Sequence, residues 1–160
     1  MRLIHSLAIA GFLLASPSMA AEWTQYSNAR FGYTIAVPPG FSLQRRSENS
    51  DGAVFSSSDG EQTLAVWGSF VADENFAGDL AARITADKRE GWNVTYRAEA
   101  TSWVTYSGTR GRRVLYARSV STCGGAGSAN FRLEYDADDI EDMNDEVMRL
   151  ARSLRPGSRC

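Results

Sequence analysis

The run at residues 63–70, Thr-Leu-Ala-Val-Trp-Gly-Ser-Phe, is apolar on both parities: Leu64 and Val66 alternate with Ala65 and Trp67. Extended backbone sends successive side chains to opposite faces, so a segment apolar on both needs a packed layer on each side. That excludes a lone hairpin and predicts a strand inside a sheet covered above and below. Asp59-Gly60 precedes the run, with Val54 and Phe55 before it. This is the order of a β-hairpin, the glycine supplying positive φ at the turn.

Two helical patterns supply the covers. Phe76, Leu80 and Ile84 recur every four residues beside Ala77 and Ala81, with Asp73 or Asn75 placed to cap the start and Gly91 to end it in the left-handed region. Ile140, Met143, Val147, Leu150, Ala151 and Leu154 form a second stripe. Asp138, Asp139, Glu141 and Asp142 crowd its first turns and Arg149, Arg152 and Arg155 its last, complementing the helix dipole, and Pro156-Gly157 stops it. Strand patterns fill the rest: Tyr33, Ile35 and Val37 before Pro38-Pro39-Gly40, then Phe41 and Leu43, then a polar loop at 44–52. After the first helix come Val94 and Tyr96, residues 103–106, residues 114–120, and Phe131, Leu133 and Tyr135. The order β-β-β-α-β-β-β-β-α predicts an α+β fold, a largely antiparallel sheet flanked by two helices, one on each face.

Residues 1–20 read as a signal peptide: Arg2 near the start, an apolar stretch at 7–14, and Ser18-Met19-Ala20 before the expected cut. Residues 21–160 are then a single exported α+β domain, periplasmic or secreted. No later apolar run approaches the roughly 20 residues of a spanning helix, so no integral membrane segment is expected after cleavage. Losing Arg2 leaves 16 basic residues against 19 acidic ones, a net charge of −3. That is no basic field for nucleic acid or an anionic membrane.

His5, the one histidine, leaves with the signal, which removes Ser-His-Asp and Cys-His catalysis and imidazole metal sites. No Ser-x-x-Lys accompanies Lys88. A histidine-free hydrolase would have to bring two of Glu99, Glu134 and Asp59 within about 5–10 Å. The glycine-rich segment 123–128 lacks the Gly-Lys-Ser/Thr ending of a phosphate loop and joins strand to strand, so it reads as a hairpin loop. Asp136, Asp138, Asp139 and Asp142 lack calcium-loop spacing and read as capping acids. Trp23, Trp67, Trp92 and Trp103 read as packing residues, and Arg110, Arg112 and Arg113 as a solvated turn. No catalytic, cofactor-binding or metal-ligating residue is assigned.

Cys123 and Cys160 are the only cysteines, an even number in a chain read as exported, which favours a bridge. A strand at 128–135 runs about 26 Å and a helix at 138–153 returns about 24 Å, which brings the chain end level with Cys123. The bridge would close some 36 residues and stabilise by roughly 3–4 kcal/mol. Two unpaired thiols are the alternative. Alkylation without reduction, read by intact mass, is expected to add no label; two labels would remove the bridge.

The segment Tyr26-x-Asn28-x-Arg30-Phe31-Gly32-Tyr33-x-Ile35-x-Val37-Pro38, followed by Phe55-x-Ser57-x-Asp59-Gly60 and Leu64-x-Val66, resembles small exported bacterial proteins of uncharacterised function. Their layout is similar to the PsbP-like fold of photosystem PsbP, Ran-binding Mog and DcrB-type periplasmic proteins. The resemblance implies an α/β/α sandwich and a non-catalytic accessory or binding module for a protein partner or envelope component, with no cofactor. A carboxylate-pair hydrolase and a small-ligand carrier remain the alternatives. Nothing in the sequence matches a photosystem-binding or Ran-binding surface.

Overall fold

The computed structural model describes residues 22–72 and 75–157. The expected signal peptide, Asp73 as a cap, and Cys160 of the expected bridge lie outside the described residues.

The chain opens with β1 (Thr24–Asn28) and β2 (Tyr33–Val37), an antiparallel ribbon. Then follow β3 (Ser42–Arg46), β4 (Gly52–Ser56) and β5 (Thr63–Phe70). After α1 (Phe76–Arg89) come β6 (Asn93–Ala100), β7 (Trp103–Arg110), β8 (Arg113–Thr122) and β9 (Gly127–Asp136). Last come α2 (Ile140–Ser153) and β10 (Arg155–Pro156). The main sheet is antiparallel in the order β3-β4-β5-β9-β8-β7-β6, and β10 joins the ribbon beside β2. The α+β class and the two flanking helices are as expected.

The faces separate by parity. Leu64 and Val66 of β5 lie opposite Leu133 and Phe131 of β9, and all four are essentially unexposed beneath the ribbon and α2. Met143, Val147, Leu150 and Leu154 close that core from above. On the other face Phe76, Leu80 and Ile84 of α1 pack on Val104, Tyr106, Leu115, Ala117 and the buried Trp92. Helix α1 therefore sits over the β7–β8 end of the sheet. Ala65 and Trp67 of β5 are in consequence only half-buried, so the second cover inferred for that strand is partial.

Asn75 caps α1 by accepting from Gly78 N–H at 3.0 Å, and Gly91 follows its end at φ 93°. The Asp59-Gly60 turn is a six-residue loop: Ser57 N–H donates to Gln62 O, and only Gly60 of the pair takes positive φ, 77°. Two segments differ from the sequence reading. Strand β1 was not expected because only Tyr26 in it is both apolar and buried. Its other buried side chain is Asn28, whose Oδ1 accepts from Phe31 N–H at 2.9 Å. The expected 44–52 loop shortens because residues 44–46 belong to β3, an edge strand exposed on every residue, which therefore lacks apolar alternation.

Both sheet edges are shielded. A bulge interrupts β3 between Leu43 and Arg45, and another interrupts β6 between Val94 and Tyr96. Arg45 and Arg46 on one edge and the Arg97–Glu99 pair on the other add charge, and bulges with charge discourage strand addition from another chain.

Phe31, just before β2, seats on Gly68. A Cβ at Gly68 would meet Phe31 Cγ at 2.2 Å and its Cβ at 2.4 Å. These atoms lie near the Phe31 backbone, so a small shift of the ring cannot relieve the clash. Gly68→Ala is expected to cost about 1–3 kcal/mol, read as a lowered urea midpoint at unchanged slope.

Burial pushes the phenols of Tyr33 and Tyr106 far above their ordinary range. Both stay protonated in the folded state when an unfolded tyrosine, near pH 10, would ionise. Their contribution is therefore complete below about pH 10 and lost as pH rises above it. The unfolding free energy from urea titrations should be flat from about pH 7 to 9 and fall above 10 by up to about 1.4 kcal/mol per pH unit per tyrosine. Tyr33→Phe and Tyr106→Phe should each flatten that fall.

Candidate ligand groove

Rows of side chains crossing the sheet explain where it stays open. One row on the α2 face runs Leu43, Phe55, Leu64, Leu133, Tyr116, Ser107, Tyr96; its neighbour runs Arg46, Ala53, Val66, Phe131, Arg118, Thr105, Ala98. The middle of each row is covered by the ribbon and α2. Helix α2 docks toward β2, where Ala36 N–H donates to Ser153 Oγ at 3.0 Å, and this leaves the β7 and β6 ends of the rows uncovered.

The result is a groove beside α2. Two hollows of about 380 and 370 Å³ share Tyr96, Tyr116 and Met148 and so form one trough. One flank of α2 is its wall: Ile140, Asn144, Met148 and Arg152, spaced by four, with Ala151 between. Thr105, Ser107 and Tyr116 form the floor, and Tyr96 stands as the outer lip. Tyr96 is 50% exposed, Ile140 48% and Met148 42%; they are three of the five exposed large hydrophobics among the described residues. Their gathering in one trough, where scattered exposure would be ordinary, makes it the candidate site.

The two ends differ in chemistry. Val114, Tyr135, Ile140 and Val147 make one end apolar, whereas Trp103, Arg118, Arg152 and Arg155 line the other. Arg118 points inward from β8 next to Phe131. Its Nη1 donates to Thr105 Oγ1 at 2.8 Å, its guanidinium lies 4.6 Å from the Trp103 ring centre, and its Nε is buried without a hydrogen-bond partner. Burial lowers its pKa below the ordinary arginine range, and the nearby Arg155 charge pushes the same way. Among the described residues Arg83, Arg97, Arg112 and Arg132 each pair with a carboxylate, while Arg118, Arg152 and Arg155 have none within 4.0 Å.

The carboxylates weighed for hydrolysis do not converge. Asp59 is exposed, with Oδ1 accepting from Ser57 Oγ at 2.5 Å and from Glu61 N–H at 3.0 Å; these bonds hold its pKa below the usual carboxylate range, the Ser57 bond most. Glu99 pairs with Arg97 at 2.6 Å, and Glu134 with Arg132 at 2.6 Å. Glu99 and Glu134 share the α1 face but stand three strand spacings apart, roughly 14 Å, and are offset along the strands as well, which exceeds a working separation.

Beneath α1, Arg132 Nη1 lies 2.5 Å from Asp87 Oδ1 while Tyr106 OH donates to Asp87 Oδ2 at 2.6 Å. These bonds tie the helix to β7 and β9. Each tryptophan carries an arginine over its ring: Trp23 with Arg149, Trp67 with Arg83, Trp92 with Arg110 and Arg132, and Trp103 with Arg118. The four are dispersed over both faces, as expected of packing residues, and the planar guanidinium explains why arginine serves there. Arg112 is exposed in the turn between β7 and β8, as expected, and there pairs with Asp136 at 3.2 Å and Asp138 at 2.6 Å. Asp136 also accepts from Asp138 N–H at 3.0 Å, the capping role expected. Cys123 opens the 3₁₀ turn Cys123–Gly125 that joins β8 to β9, at φ 54°, in the hairpin position expected for the glycine-rich segment.

Sequence reasoning placed Tyr96 in a strand, Ile140 in a core stripe and Arg152 and Arg155 at a dipole, and passed over Arg118 and Met148. The available signal was a charged residue inside the apolar 114–120 strand and a methionine beside the predicted helical stripe.

No family model and no curated protein matches the chain. Solved structures do. The solution structure of cyanobacterial PsbP (CyanoP) from Synechocystis sp. PCC 6803 aligns at TM-score 0.64 and 17% identity, over 89% of this chain and 96% of that one. The Saccharomyces cerevisiae Ran-binding protein Mog1p aligns at TM-score 0.59 and 8% identity, over 85% and 96%. A mutant form of Mog1 gives TM-score 0.59 at 9% identity, over 84% and 95%. Layer order and these alignments agree: the chain has the PsbP/Mog1-like α+β fold.

Proposed function

We propose that this chain is a non-catalytic exported binding module, periplasmic or secreted, whose groove beside α2 receives a protein partner or envelope component. The observation that carries the reading is the gathering of exposed Tyr96, Ile140 and Met148 over a polar floor with three unpaired arginines at one end. Aromatic residues, methionine and arginine are the types enriched at interface centres. Both edges of the sheet are bulged and charged, which directs contact to the groove. Accessory roles are common to this fold, as the Ran-binding Mog1p illustrates, and the analogy extends to the role alone. Export rests on residues 1–20.

A photo-crosslinking residue at position 148 or 96 of the chain, irradiated in an envelope extract, is expected to give a discrete adduct. The same probe at the far-edge position 45 should not. Absence of a groove-specific adduct at every salt concentration overturns the reading.

A further inference from the structure

We infer that the groove recognises an extended acidic-apolar peptide of a protein partner, its carboxylates seated on Arg118, Arg152 and Arg155 and its apolar side chains running toward Ile140. This rests on the binding-module reading and specifies its ligand.

The cationic end is built, and no acidic group among the described residues fills it. Arg118 holds one fixed bond, to Thr105 Oγ1, and one stacking partner, Trp103; these orient the guanidinium while its buried Nε retains an unused donor. An entering carboxylate would supply this guanidinium with the charged acceptor it lacks. Arg155 repels Arg118, and an anion between them removes that repulsion. Guanidinium groups match carboxylates by charge-assisted, two-point hydrogen bonding. Among described residues no acid competes within ion-pair distance of the three arginines.

Shape selects a peptide. The α2 wall has 14 residues, about 21 Å of helix, which matches six or seven residues of extended chain. Met148 and Tyr96 face each other across the middle, and Ile140, Val147 and Tyr135 continue as an apolar track. A flat anionic membrane cannot reach Arg118 on the groove floor, and the net charge of the chain opposes a broad membrane field.

The test uses the full chain, fluorescence anisotropy and amide NMR with three probes. These are a seven-residue peptide with two glutamates at one end and leucine and phenylalanine beyond, its glutamine counterpart, and phosphatidylglycerol vesicles. The acidic peptide is expected to shift the amides of Tyr96, Ser107 and Met148 and to bind at least about tenfold more tightly than the glutamine peptide, with affinity falling as salt rises. Arg118→Gln should lose about tenfold. Arg152→Gln, on an exposed helix position that leaves folding intact, should lose about threefold; Arg45→Gln on the far edge should lose nothing. Equal affinity for the two peptides, no groove shifts with either, or a groove response to vesicles instead of peptide each overturns the inference. If an adduct at position 148 forms equally in Arg118→Gln, the anion inference fails and the binding-module reading stands; if no adduct forms in the parent chain, that reading fails itself.

Discussion

Asp87→Ala should lower the unfolding free energy by about 3–5 kcal/mol, the loss expected when one partner of a buried ion pair is removed. Asp87 is 6% exposed and accepts from both Arg132 and Tyr106, so alanine strands a guanidinium and a phenol together. Arg132 keeps Glu134 at 2.6 Å, which moderates the cost and places it toward the lower end of that range. Replacing both members, Asp87→Leu with Arg132→Met, should recover the part of the loss that comes from the unpaired guanidinium, because an apolar pair needs no charge compensation, while the Tyr106 phenol still lacks its acceptor. Urea unfolding of Asp87→Leu, Arg132→Met and the double variant measures the coupling. A double variant no more stable than Asp87→Ala would show that the network contributes packing rather than charge pairing.

The second large effect is expected at Leu150→Ala. Leu150 is unexposed, on the inner side of α2 against the ribbon and β9, and truncation there leaves a cavity costing about 2–5 kcal/mol. Two residues earlier on the same helix, Met148 lies 42% exposed in the groove wall, and Met148→Ala should change stability by less than about 1 kcal/mol. Binding should show the reverse order: Met148→Ala weakens capture at the groove, while a folded Leu150→Ala population retains it. Loss of stability without loss of binding at one position, and the opposite two residues away, separates the helix's two sides experimentally.

The same contrast shows what a sequence exposes. The two-sided apolar run of β5, the alternation in β9 and the period in α2 follow burial, so they were readable; β1 and the 44–46 part of β3 were not, because one buries an asparagine in place of a hydrophobe and the other buries nothing. The groove was illegible for a different reason. Tyr96, Ser107, Arg118 and Met148 come from four elements, and only the strand order β6-β7-β8 and the docking of α2 against β2 bring them together. Arg118 in particular looks like an interruption of a strand until its row is seen to end in the open. The missing convergence of Glu99 and Glu134 is equally a matter of strand order, which separates two residues on the same face by the width of three strands.

The pairing of β10 with β2, Arg155 opposite Thr34 and Pro156 opposite Tyr33, joins the last described strand to the first ribbon. During synthesis, residues 24–37 must wait for more than a hundred later residues before their third strand exists. Until then Tyr33 and Ile35 have no finished layer above the sheet. The domain therefore cannot complete itself piecemeal from its beginning; its earliest strands are finished last, and removing the final turn of α2 with β10 should leave the start of the chain as unsettled as the end.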